Sequence, residues 1–438
     1  MRSRSLGIFI AAGLLLSANA AHAQTTVTIG TVNNSDMIIM QKLSPKFEEQ
    51  HPDIKLDWVV LEENVLRQRL TTDIATGSGQ FDVMTIGTYE VPIWAEKDWL
   101  VALEDLPADY DTDDVLKSIR DGLSYDGKLY ALPFYAESSM TFYNTALFEK
   151  AGLTMPDQPS WDEVKEFAAK LHDPDNGIYG ICLRGKPGWG ENMAFVSTLV
   201  NTFGGRWFDE EWNPEIDSPE WQQAITFYVD LQQNYGPPGA SSNGFNENQA
   251  LFSSGKCAMW VDATSAAGRL YNPSESQVTD QVGFAQAPVA VTPKGNHWLW
   301  SWALAIPESS DAKDAAKQFL AWATSKPYIE MVGESEGWAS VPPGTRTSTY
   351  ENPKYTEAAP FAAAVLEAIE TADPTDSSAK PVPYTGVQFV GIPEFQSIGT
   401  QVGQAIAGAL AGQMTVEQAL QSTQASVSRT MRQAGYPK

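Results

Sequence analysis

Between Thr26 and Ile86 the chain alternates strand-like and helix-like apolar patterns, and this alternation is the tightest constraint on its fold. Thr26–Val32 alternates with the period of a strand, and Asp36–Gln50 carries apolar residues at near-helical spacing. Ile54, Leu56, Trp58 and Val60 alternate again, then Asn64–Thr76 sets Leu66, Leu70 and Ile74 on one helix face. Phe81–Ile86 is apolar apart from Asp82, as in a strand covered on both sides. Strand followed by helix in repetition requires an α/β layer architecture.

The downstream pattern continues it with more helix. Asp126-Gly127 between two short apolar runs predicts a β-hairpin. Ser160 and Glu163 have capping-box spacing ahead of a helix to Leu171. Tyr179–Arg184 and Cys257–Val261 are expected strands, and Pro219–Tyr235 is an expected amphipathic helix. Val282–Pro288 and Trp298–Ile306 predict two further strands joined by a loop through Gly295. Helices are expected at Ala312–Ala323 and Tyr328–Val332, and Thr415 and Gln418 cap a last helix to about Met431.

At the start, Arg2 and Arg4 precede an apolar core from Leu6 to Leu16 and a small-x-small end at Ala21-His22-Ala23. That is a cleavable leader over residues 1–23, with a core of about 11 residues where a membrane span needs about 20. Gln24, not Cys, follows it, so no lipid anchor is expected and the product should be periplasmic. Without Arg2 and Arg4 the 29 basic residues fall to 27 against 54 acidic ones, moving the net charge from −25 to −27. So acidic a chain repels nucleic acid and anionic lipid. About 415 residues exceed what one core usually supports, so two domains are expected. Cys182 and Cys257 can pair in an oxidising compartment; the alternative is two buried thiols.

Five segments in order resemble the bacterial extracellular solute-binding proteins of ABC importers, family 1, the carbohydrate-binding type. They are KFEEQHPDIKLDW (46–58), FDVMTIGTYEVPIWAEKDWLVAL (81–103), YDGKLYALPFYAESSMTFYN (125–144), ALFSSGKCAMWVD (250–262) and GWASVPPG (337–344). GWGEN (188–192) with NHWLWSWALAIP (296–307) looks most like the sorbitol/mannitol branch. The resemblance implies a two-lobed clamshell, each lobe a mixed, mostly parallel sheet flanked by helices and joined by hinge crossovers. Residues 24–134 with about 287–338 would form one lobe, and about 135–286 with 339–438 the other, with a third crossing near Trp338–Pro343. It further implies a monomer that closes on a small neutral polyol or sugar and delivers it to membrane permease subunits, without cofactor or metal.

Such a ligand needs flat aromatic faces for its C–H surfaces and polar side chains for its hydroxyls. Trp189, Trp298, Trp300 and Trp338 flank turns and are the aromatic candidates, while Trp302, deeper in its strand, is expected in the core. By alternation Trp298, Trp300 and Trp302 share a face. Asn33 and Asn34 follow the first strand, where capping is the competing role. Thr88, Tyr89 and Glu90 follow the Phe81–Ile86 strand, at the carboxyl end where open α/β sheets bind ligands. Glu137, then Arg184, Trp189 and Asn192 of the Gly-rich run RGKPGWGEN, complete the first group of polar candidates. Asp262 and Arg346 are added with surface ion pairing as the competing role, and Phe134, Tyr135 and Tyr143 stay undecided between core and cleft.

Enzymatic patterns are weaker. Gly333-Glu334-Ser335-Glu336-Gly337 spells a nucleophile elbow, but a helix precedes it and no histidine lies beyond His297. A glycan hydrolase using a carboxylate pair in the same cleft stays open as the rival, because its two acids need no fixed spacing.

Overall fold

The structure, a computed structural model, describes residues 24–437, and the expected leader at 1–23 lies outside the described residues. The opening stretch folds as its periodicity predicts. β1 (Thr25–Val32) leads to α1 (Ser35–Leu43), α2 (Pro45–Gln50), β2 (Ile54–Leu61), α3 (Glu63–Thr76) and β3 (Val83–Gly87). The single helix expected over 36–50 is two, because Pro45 has no N–H to continue the ladder and instead starts α2. β1 pairs in parallel with both β2 and β3, and Val27, Ile29 and Val83 are wholly buried beneath the helices.

The Asp126-Gly127 hairpin joins β4 (Ser124–Tyr125) to β5 (Lys128–Leu129). Asp126 at φ 47° and Gly127 at φ 76° both take the left-handed conformation that a two-residue turn requires. β6 (Ala131–Glu137) then enters the first sheet, and after Ser138 alone β7 (Ser139–Asn144) begins in a second one. β8 (Met259–Ala263) and β9 (Val282–Gln286) flank β7, and β10 (Trp300–Ala305) returns to the first sheet. The orders are β2-β1-β3-β10-β6 and β8-β7-β9. The chain therefore changes sheet at Ser138, three residues beyond the expected 134/135 division, and again between Gln286 and Trp300.

The first sheet is mixed and the second wholly antiparallel, so neither is mostly parallel as expected. β10 is antiparallel to both β3 and β6, and β7 is antiparallel to both its neighbours. The cause is the route: the chain leaves the first sheet along β6 and comes back along β10, so the returning strand points the other way. The expected strand over 179–184 forms only single bridges, Tyr179 to Cys257 and Cys182 to Trp260. Beyond Trp338 the chain is still tied to the first sheet: Pro343 accepts from the Ala136 N–H and Thr345 from the Leu116 N–H.

Helices Trp161–Leu171, Pro219–Tyr235 and Val416–Gln433 match their expected caps and extents closely, the first and last with full capping boxes. No helix among the described residues is long and apolar enough to cross a membrane. Cys182 and Cys257 form a disulfide, Cα atoms 6.0 Å apart, across 75 residues of sequence. Closing so long a loop restricts the unfolded chain, so Cys182→Ser with Cys257→Ser should cost about 4 kcal/mol. Urea unfolding of the double variant measures this, and an unchanged midpoint would show that the bridge constrains nothing.

Candidate functional site

The inverted β10 brings its own start to the carboxyl ends of β1, β2 and β6. The residues at these four ends line one cavity of about 460 Å³. Its first wall is built from Asn33 and Asn34 after β1, Glu62 and Glu63 after β2, and Glu137 at the end of β6. Trp298, Trp300 and Trp302 complete that wall; Trp300 lies opposite Glu137 and Trp302 opposite Tyr135 in the β10–β6 ladder. Asn34 has both roles weighed for it. Its side-chain oxygen caps α1 at the Met37 N–H, and its amide donates to the Tyr135 hydroxyl at 2.6 Å.

The facing wall comes from segments outside the first sheet. It carries Arg184, Lys186, Trp189 and Glu191 of the Gly-rich run, Phe245–Glu247 at a helix start, and Ser265 just beyond β8. Contacts reach across the mouth. Lys186 pairs with Glu62 at 2.5 Å, Asn64 donates to the Pro187 carbonyl, and Asn246 donates to that of Asn33. The glycines of RGKPGWGEN permit this approach: a Cβ on Gly190 would lie 2.4 Å from Glu63 Oε1, and one on Gly188 2.4 Å from Asn64 Oδ1.

Charge within the cavity is dense and largely neutralised. Arg67, one helical turn beyond Glu63, binds Glu63 at 2.9 Å and Glu90 at 2.8 Å. Its guanidinium lies 4.1, 5.0 and 4.7 Å from the rings of Trp189, Trp300 and Trp302, a cation–π cage around a buried charge. Burial would depress Arg67, but Glu63 and Glu90 outweigh it and hold the guanidinium charged. Arg184 is fixed by three hydrogen bonds to Asp262 and donates a fourth to the Gly190 carbonyl. Glu137 differs. Burial pushes its carboxyl up to about 8, against a hydrogen bond from Ser265 and the pull of Arg184.

Seven sequence candidates thus meet at the cavity: Asn33, Asn34, Glu137, Arg184, Trp189, Trp298 and Trp300. Five do not line it. Tyr89 is buried behind Trp189, ring centroids 4.7 Å apart, with its hydroxyl on the Ile392 carbonyl. Asn192 is occupied by the Gly188 N–H and the Gly403 carbonyl. Asp262 is a buried partner of Arg184, not the surface ion pair considered for it. Arg346 does not line the cleft, directing its donors to Asp114 and the carbonyls of Tyr110, Asp111 and Thr324. Trp338 packs over Gly333, where a Cβ would sit 2.6 Å from its ring. Glu90 stands one layer back, holding Arg67, and Thr88 is buried outside the cavity.

Trp302, expected in the core, is a wall residue, as its shared face with Trp298 and Trp300 implied. Of the undecided aromatics Tyr135 lines the cavity, Phe134 packs on Tyr328 and Tyr143 on Phe148. Arg67, Glu63, Lys186, Glu191, Ser265 and Gln388 were missed. Lys186 and Glu191 sit inside the flagged Gly-rich run, a usable signal; Arg67 on an ordinary helix and Gln388 on a long loop offered none.

A model of the bacterial extracellular solute-binding protein family matches residues 33–330. The chain is 60% identical over 434 residues to a mannitol-binding protein of Pseudomonas aeruginosa, covering 99% of each. It is similar to a solved ABC transporter solute-binding protein of Agrobacterium vitis S4 with bound D-mannitol. That likeness has a TM-score of 0.94 at 60% identity, over 94% of this chain and 100% of the other. A solute-binding protein of Agrobacterium radiobacter K84 in complex with ribitol follows at TM-score 0.82 and 26% identity, over 93% and 99%.

Because Glu137 titrates higher folded than unfolded, the folded state binds the extra proton between pH 4.5 and about 8. Its contribution to stability is then complete below pH 4.5 and lost as pH rises toward 8, at no more than about 1.4 kcal/mol per pH unit. Glu137→Gln should remove that decline. Parallel unfolding curves for the two proteins across this window would contradict it.

Proposed function

The chain belongs to the bacterial extracellular solute-binding protein family, and from that premise we propose that it captures a linear hexitol, with D-mannitol as the lead ligand. Members of this family bind solutes for ABC importers and are not enzymes, so the permease is the onward partner. The carboxylate-pair hydrolase has no support. Asp262 is buried and neutralised by Arg184, which leaves it unable to act beside Glu137 as a free carboxylate.

The observation that carries the ligand class is the likeness to the D-mannitol-bound chain, and the composition of the wall supports it. The amides, carboxylates and guanidinium groups of the lining offer both donors and acceptors, which is what neighbouring hydroxyls can use. The Trp189, Trp298, Trp300 and Trp302 faces offer the apolar complement to a polyol's C–H surfaces. The likeness to the mannitol-bound chain favours a six-carbon polyol, with sorbitol next and maltose-type sugars behind.

In this reading the sheets define two lobes that change at Ser138 and again between Gln286 and Trp300, and ligand contacts from both favour the closed arrangement. Removal of residues 1–23, release into the periplasm and a monomeric product belong to the same proposal; intact mass and light scattering of periplasmic extract test them.

D-mannitol at one hundred times its Kd should stabilise the protein by about 2.7 kcal/mol, visible as a rise in Tm. A response to maltose and none to mannitol or sorbitol would reject the hexitol. Trp298→Ala should weaken mannitol binding at least about tenfold by calorimetry, since a buried aromatic contact is worth more than 1.4 kcal/mol. Gly190→Ala should also weaken binding, because the added methyl collides with Glu63 and Arg67 where the two walls meet. Wild-type affinity in both variants would mean that the ligand lies elsewhere.

A further inference from the structure

The cavity's charges do not balance. Arg67 is shared between Glu63 and Glu90, and Lys186 between Glu62 and Glu191. Arg184 is taken by Asp262. Glu137 is left over: it is 7% exposed, lines the cavity, and its hydrogen bond comes from the neutral Ser265 hydroxyl. No lysine, arginine or histidine nitrogen lies within ion-pair distance of it among the described residues. Glu191 adds an oxygen, Oε2, that no group in the wall satisfies.

A hydroxyl gives such a carboxyl a hydrogen bond but no countercharge. An ammonium gives both, and hydrogen bonds to an ionised partner are about twice as strong as neutral ones. We infer that this site also takes amino-alditols, linear polyols in which one hydroxyl is replaced by a protonated amine, with the ammonium seated on Glu137. The inference rests on the hexitol reading above and extends its ligand class. D-mannitol is identical end to end, so the amine derivative can be turned to place its ammonium at whichever end of the site Glu137 occupies. The same excess of carboxyls repels ligands bearing a carboxylate or phosphate, which sets an order: amino-alditol, then alditol, then aldonate.

Docking has a proton balance. The groups facing Glu137 are Ser265 beyond β8, Arg184 of the Gly-rich run, Asp262 on β8, Glu63 on α3 and Tyr135 on β6. Among these, burial dominates and keeps Glu137 mostly protonated near neutral pH. An arriving ammonium ionises the carboxyl, and its proton goes to the buffer. Mannitol has no charge with which to drive that release.

Calorimetry of the full-length mature protein at pH 7.5 compares D-mannitol, 1-amino-1-deoxy-D-mannitol and D-mannonate in two buffers of different ionisation enthalpy. The amine is expected to bind about tenfold tighter than mannitol. It should also release a large fraction of one proton, since Glu137 is partly ionised already at this pH, while mannonate binds at least about tenfold weaker than mannitol. In Glu137→Gln the amine-to-mannitol affinity ratio should collapse toward one; if that variant does not fold, the wild-type proton count decides. Mannitol binding with an amine that binds more weakly, or without proton release, overturns the inference and leaves the hexitol reading standing. Failure of mannitol itself removes both.

Discussion

The antiparallel pairing of β10 with β6 sets Trp300 opposite Glu137 and Trp302 opposite Tyr135, and the cleft is organised around that ladder. The same two strands carry the chain between sheets, one outward through Ser138 and one back after Gln286. Their pairing therefore determines both where the two sheets meet and which side chains stand at the junction. Because β10 is inverted, its beginning lies beside the ends of β1, β2 and β6, and residues far apart in sequence share one wall. Gly87 makes room for this: a Cβ there would lie 2.1 Å from the Trp300 ring, so β3 can lie beside β10 only with that position bare.

Burying so many charges is tolerable only because nearly all are paired. An isolated charge in such surroundings would cost several kcal/mol. The Arg184–Asp262 unit satisfies this through the Nε and Nη2 edge of the guanidinium while Nη1 donates to the Gly190 carbonyl, and Arg67 combines two carboxylates with three indole faces. These pairs hold the aromatic rings at fixed angles, for instance Trp189 to Trp300 at 69° and Trp300 to Trp302 at 80°. A preorganised wall loses less freedom when a ligand arrives, which favours tight capture of a flexible one.

Arg346 and Arg67 show how differently similar residues resolve. Arg346 follows a Trp-Pro-Pro segment that looked like a cleft edge, yet it is a structural pin among backbone carbonyls. Arg67 lies in an unremarkable helix, yet it faces three tryptophans. A guanidinium's role depends on which acceptors surround it, and those come from residues as near as 4 and as far as 236 positions away. Alternation correctly grouped Trp302 with Trp298 and Trp300, since side-chain direction in a strand is local. Its depth misled, because the cavity extends further along β10 than the strand's start.

Local geometry was legible from the residues alone: the α/β alternation, the Asp126-Gly127 turn, the capping boxes and the ends of β1 and β6, where Asn33, Asn34 and Glu137 stand. Each depends on short-range sterics and hydrogen bonding within a few positions. Strand direction, the charge partners and the cavity's true lining needed the tertiary structure, because they depend on which distant segments pack together. Glu137 spans the division. Its place at a strand end could be read directly, but its lack of a countercharge follows only once every neighbouring cation has found another carboxylate.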